Sequence, residues 1–139
     1  MGYSTLTTLG KGIYIERKYV IDKMKKDYTE KNGELNEDEY GECELDDLYY
    51  FYEKKYSTDT VKVKVSVFTE DEPSKVFGVV FYLARTISED WSSVPIGSTV
   101  LTCEDTEITE EEKSVLTSIA QDFNATDIKI QTVAYVHSF

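Results

Sequence analysis

One histidine, two cysteines and one tryptophan in 139 residues leave the chain short of the side chains on which catalysis and metal binding usually rest. His137 has no nucleophile at a spacing that marks a dyad or triad. Cys43 and Cys103 form no C-x-x-C pair, so a zinc ribbon or a thioredoxin-like centre has no basis, and two isolated thiols in an intracellular chain are expected to be reduced. No phosphate-binding glycine loop, nucleophile elbow or H-E-x-x-H motif occurs, and no cofactor is expected. Long apolar runs are missing as well. Met1 to Lys11 carries no stretch of signal-peptide length, and nothing approaches the roughly 20 apolar residues that span a bilayer, so a cytoplasmic protein is expected. Positive charge is scarce too: 15 bases against 27 acids give a net charge of -12, which repels phosphates and argues against direct contact with nucleic acid.

What the chain does have is aromatic surface. Eleven Tyr and six Phe within a 40% hydrophobic composition are too much for a disordered acidic chain. At this length one domain over residues 1–139 is expected, burying roughly two-thirds of the surface that its unfolded chain exposes. The charge is uneven. Lys11 to Lys26 holds six bases and two acids, Glu30 to Glu53 holds ten acids and one base, and Glu104 to Glu112 holds six acids and no base. The basic stretch is read as partly neutralising its neighbours within the fold or as simply solvated.

Periodicity gives the elements. Ile13 and Ile15 opposite Tyr14 predict a short strand over Gly10 to Glu16, and Val20, Ile21, Met24 and Tyr28 predict a helix that Asn32-Gly33 closes. Leu45, Leu48, Tyr49, Tyr52 and Tyr56 form a second helical stripe, which leaves Tyr50 beside Asp46 and Asp47 and puts Phe51 on the boundary. Val61, Val63, Val65 and Val67 alternate with Thr60, Lys62, Lys64 and Ser66, a strand with one wet face. Turn residues Glu70 to Ser74 then lead into Val76 to Ala84, apolar enough for a central strand, so the pair reads as a hairpin. Ser88 to Gly97, with Trp91 and Pro95, is read as an exposed loop and Thr99 to Cys103 as a short strand. Thr109 and Glu112 make a capping box ahead of a helix whose stripe is Val115, Leu116, Ile119, Ala120 and Phe123, ending at Asn124. A last strand alternates from Ile128 to His137. The order implies an α+β domain: a mainly antiparallel sheet of four to five strands with about three helices on one face.

Eight of the fourteen residues from Glu34 to Asp47 are carboxylates, and no base interrupts them. Within this run Asn36 and Asp38 fall at oxygen-ligand spacing, Gly41 at a sharp turn, Cys43 at a small apolar position and Asp47 at a closing carboxylate, followed by Leu48. In part the segment resembles an EF-hand calcium loop, which would imply helices on both sides and cation ligands at Asn36, Asp38 and Asp47. Tyr40 stands where a further oxygen ligand belongs, and Asp47 is shorter than the usual bidentate Glu. A second property is charge density. Spread on a helix, the run would carry one charge per roughly 2.6 Å at roughly 1.5 Å per residue, near the one per roughly 1.7 Å of duplex DNA. Tyrosines interleave with these acids and could stack on a partner's arginines. The sequence therefore points first to a small non-enzymatic binding protein, an inhibitor of a nucleic-acid-handling protein of the DNA-mimic or anti-defence type. Its surface would be Glu37, Asp38, Glu39, Glu42, Asp46, Asp47 and Tyr50, and its partner a basic protein. A cation-binding module at residues 36–47 is the alternative. An enzyme or small-ligand binder with a dispersed site, around Trp91, is the third reading.

Overall fold

The computed structural model describes residues 4–35, 41–70, 75–93, 107–125 and 127–138. Strand β1 (Ser4–Glu16) runs straight into helix α1 (Arg17–Asn32), and a 3₁₀ turn (Cys43–Asp47) runs into helix α2 (Leu48–Tyr56). Strands β2 (Val63–Glu70) and β3 (Lys75–Leu83) follow, then a 3₁₀ turn (Ala84–Thr86) and β4 (Ser88–Ser93). Helix α3 (Glu110–Asp122) and β5 (Gln131–Ser138) complete the order. The domain is α+β, a five-stranded antiparallel sheet with three helices packed against it. Among the described residues no helix is long and apolar enough to cross a membrane.

Period-two alternation decides which side of each strand meets the helices. Ile13 and Ile15 of β1 stand opposite Phe81 and Val79 of β3, which stand in turn opposite Val65 and Val67 of β2. With Val63 and Leu83 they form the floor of the core, and Val20 and Met24, Leu48 and Tyr52, and Leu116 and Ile119 close it from α1, α2 and α3. Lys62 and Lys64 are exposed between buried Val61, Val63 and Val65, as the alternation requires. Tyr52, Tyr56, Phe81 and Phe123 pack ring against ring at centroid distances of 5.6 to 6.2 Å, tying α2 to the central strand and to the end of α3.

β1 is the axis of the sheet. Residues 12–16 pair with β3 and residues 4–9 with β4, so these two lie in succession along one edge, while β5 takes residues 5–12 on the other. Gly12 marks the closest approach: a Cβ there would stand 1.9 Å from the Phe81 carbonyl oxygen, so only glycine lets β1 and β3 pass. The sheet also curls. Phe68 of β2 and Tyr135 of β5, in its outermost lanes, bring their rings to 4.2 Å.

Three sequence readings change. β1 begins at Ser4 rather than Gly10, and Ser88–Ser93 is a strand rather than a loop, with Trp91 in register with Leu6. The run Ser88 to Ser93 has no apolar alternation of its own; the exposed ladder of β1 makes it a strand. Tyr49, expected in the buried stripe of α2, is 46% exposed. The 3₁₀ turn winds three residues per turn, so Leu45 eclipses Leu48 and the stripe narrows to Leu45, Leu48, Tyr52 and Tyr56. Residues 71–74, Thr99 to Cys103 and Pro95 lie outside the described residues.

The helix ends follow local chemistry. Gly33 closes α1 at φ 89°, its N–H donating to the Thr29 carbonyl at 3.0 Å. Thr109 and Glu112 form both bonds of the capping box, at 3.1 and 2.9 Å, and Asn124 takes the left-handed conformation at φ 52° after α3.

Candidate functional site

The acidic run divides into inward and outward carboxylates. Glu42 was expected on the surface and is instead 6% exposed. Arg17 grips both of its oxygens, with Nη2 to Oε2 at 2.8 Å, and the same guanidinium donates to the Val76 carbonyl at 2.9 Å. The Val76 N–H donates to Glu42 Oε1 at 2.8 Å, and Lys25 Nζ lies 3.6 Å from Oε2. These bonds knot the start of the 3₁₀ turn to α1 and β3, which is why the side chain turns inward; the bonds from Arg17 hold its pKa below the ordinary carboxylate range against the opposing effect of burial. Two bases of the Lys11 to Lys26 stretch are thereby used within the fold. Glu44 accepts a 2.7 Å hydrogen bond from the Tyr28 hydroxyl, a second tie to α1. Behind it Asp27, buried, accepts from the Tyr52 hydroxyl at 2.7 Å and lies 3.6 Å from Lys23. Burial first and Asp27 second push the Tyr52 hydroxyl pKa far up.

Among the described residues of the run, what remains outward is Glu34 just after α1, and Asp46 and Asp47 at the end of the 3₁₀ turn, with Tyr49 and Tyr50 following beyond Leu48. Tyr50 is 54% exposed, as the helical spacing predicts. The two rings meet edge to face at 6.3 Å and 67°, and Lys54 Nζ lies 4.9 Å from the Tyr50 centroid. Asp46 also lies near Tyr135 of β5, whose hydroxyl pKa is raised mainly by burial and further by that carboxylate. Glu53, on the same helix, is half-buried, and burial raises its pKa while Lys64 opposes the shift.

Glu37, Asp38 and Glu39 lie outside the described residues, as do Asn36 and Tyr40. Of the calcium-loop positions, Gly41 makes a turn at φ 63° and Asp47 is exposed, but Glu42 is committed to Arg17 and Glu44 to Tyr28. Among the described residues no group of three His, Cys, Asp or Glu side chains could hold a metal ion. The register sets Trp91 and His137 on either side of Leu6, on neighbouring strands.

The second acidic cluster is used by the fold as well. Glu112 completes the capping box and holds Arg85 through Nε at 2.6 Å and Nη2 at 2.7 Å, and Arg85 reaches on to the Glu107 carbonyl at 2.8 Å. Sequence reasoning missed Arg17, Lys25 and Tyr28 as partners of the acidic run. Arg17 and Glu42 lie 25 positions apart, and only the packing of α1 against β3 brings them together.

No family model matches the chain, and comparison with the curated proteins and with the solved structures yields no match.

Proposed function

We infer that this is a non-enzymatic binding protein that engages and inhibits a nucleic-acid-handling protein through the acidic, tyrosine-bearing face at Asp46, Asp47, Tyr49 and Tyr50. Glu37, Asp38 and Glu39, which precede this face in the chain, belong to the proposed surface; Glu42, held by Arg17, is removed from it. The observation that carries the reading is the pair of exposed tyrosines. α2 buries Tyr52 and Tyr56 but leaves Tyr49 and Tyr50 outward beside two carboxylates, although burying an aromatic ring is favourable. Exposed aromatics next to acids suit a partner surface of arginines, where charge steers the encounter and the rings supply contact area. The net charge of -12 extends that steering over the whole molecule. The partner is a basic protein of the cytoplasm whose groove ordinarily holds nucleic acid.

The test is capture of partners from lysate at low and at high salt, followed by a nuclease, polymerase or helicase assay on what is captured. A basic nucleic-acid enzyme that is released by salt and inhibited by this protein supports the reading. Capture that salt does not affect, or an enzyme unaffected by saturating protein, removes it.

A further inference from the structure

We propose that the cleft between α3, β1 and the turn before β5 binds a small organic amine, a compact apolar body carrying an ammonium group. The cleft holds about 140 Å³. A dry cavity of about 150 Å³ admits one benzene ring, so the body is limited to roughly that size. Its floor is apolar: Ile13 from β1, with Leu116 and Ala120 from α3, all buried. Ile128 and Ile130 form the opposite wall, half-buried and packed against the core. The apolar floor and wall, reached through a polar mouth, give a small ring contact partners as it leaves water.

The mouth is polar and carries one sign of charge. Thr117, Gln121 and Asp127 border it, and among the described residues that line it Asp127 is the only ionisable group. Lys129, the nearest base in sequence, is exposed and does not line it. Asp127 also sits at φ 65°, in the left-handed region where glycine costs least. An anion would meet Asp127 and the field of a chain of net charge -12, whereas a cation is attracted by both. The site shares no residue with the acidic face around Tyr50, so it stands or falls separately from the function proposed above.

Methyl-detected NMR of the folded full chain, titrated with benzylamine, benzyl alcohol and benzoate, tests the site. Benzylamine should shift the methyl signals of Leu116, Ala120, Ala125, Ile128 and Ile130 saturably, benzyl alcohol more weakly, and benzoate not at all. Asp127→Asn keeps a residue that tolerates the left-handed conformation and removes the charge. It should cut the advantage of the amine over the alcohol by about two- to fivefold, the range for an exposed charge pair, while binding of the alcohol persists. Ala125→Leu should abolish shifts from both ligands by filling the cleft; if that variant does not fold, Thr117→Leu at the mouth tests the same occlusion. Absence of saturation, benzoate binding as well as benzylamine, an unchanged amine preference in Asp127→Asn, or shifts centred on the Leu45 and Leu48 methyls beside the acidic face would each overturn the proposal.

Discussion

Replacing Glu42 by Gln removes the charge that faces Arg17 and Lys25 and weakens the acceptor of the Val76 N–H. A fully buried ion pair broken on one side costs about 3–5 kcal/mol, but the Arg17 side chain is 37% exposed and water can take over part of its solvation. The expected loss is about 1.5–3 kcal/mol, the range for hydrogen bonds to charged groups, measured by urea denaturation at pH 7. Substituting exposed Asp47 by Asn should change stability by less than about 0.5 kcal/mol in the same measurement. Equal effects at the two positions would mean that the inward turn of Glu42 contributes nothing. The second inward carboxylate gives a pH signature. Arg85, bonded to Glu112 with help from the Thr109 N–H, holds the Glu112 pKa down to about 2 against an ordinary 4.5. The unfolded chain thus takes up this proton before the folded one does. The stabilisation is complete above about pH 4.5 and is lost as the pH falls toward 2. Thermal melts should therefore show Glu112→Gln less stable than the parent at pH 7, with the gap narrowing below pH 4.5; a constant gap would contradict the linkage.

Elements whose pattern is self-contained were legible before any fold was known. The alternation of β2, the stripe and capping box of α3 and the Asn32-Gly33 stop of α1 each encode one local solution, and each is found. β4 and the first half of β1 were not legible: their pairing partners are each other and β5, and Ser-Glu-Asp-Trp-Ser-Ser alone carries no strand period. The candidate site divides in the same way. The exposure of Tyr50 follows from the helical wheel, whereas the withdrawal of Glu42 depends on Arg17 of another element. Two substitutions test the element-scale account. Val65→Ala, in the middle of the core face, should cost about 1–3 kcal/mol through lost methyl burial. Gly12→Ala places a methyl where the β3 backbone already stands, and it should cost at least about 1–3 kcal/mol, as overpacking does, although alanine is otherwise the better residue in an element interior. A Gly12→Ala protein as stable as the parent would mean that β1 and β3 do not cross as closely as described.

At the scale of the whole molecule the charge is only partly surplus. Glu42, Glu44 and Glu112 hold elements together, and the basic stretch supplies Arg17 and Lys25 to that work. Asp46 and Asp47 remain exposed next to two aromatic rings, on a chain whose net charge disfavours compaction. Converting Glu37, Asp38, Glu39, Asp46 and Asp47 together to their amides removes five like charges, so the folded protein should be as stable as the parent or slightly more so, with an unchanged circular dichroism spectrum. If this face meets a basic groove, the same variant should bind the captured partner with slower association, and the difference should shrink as salt rises above about 0.15 M, where the screening length is roughly 8 Å. Tyr50→Ala acts on a different step. A ring that is desolvated in the complex holds the partner after encounter, so its loss should speed dissociation and leave association nearly unchanged. Surface plasmon resonance on both variants at low and high salt separates the two effects. Association rates equal to the parent's at low salt in the amide variant would show that the carboxylates only keep the chain in solution, and would end the mimicry reading even if Tyr50→Ala weakened the complex.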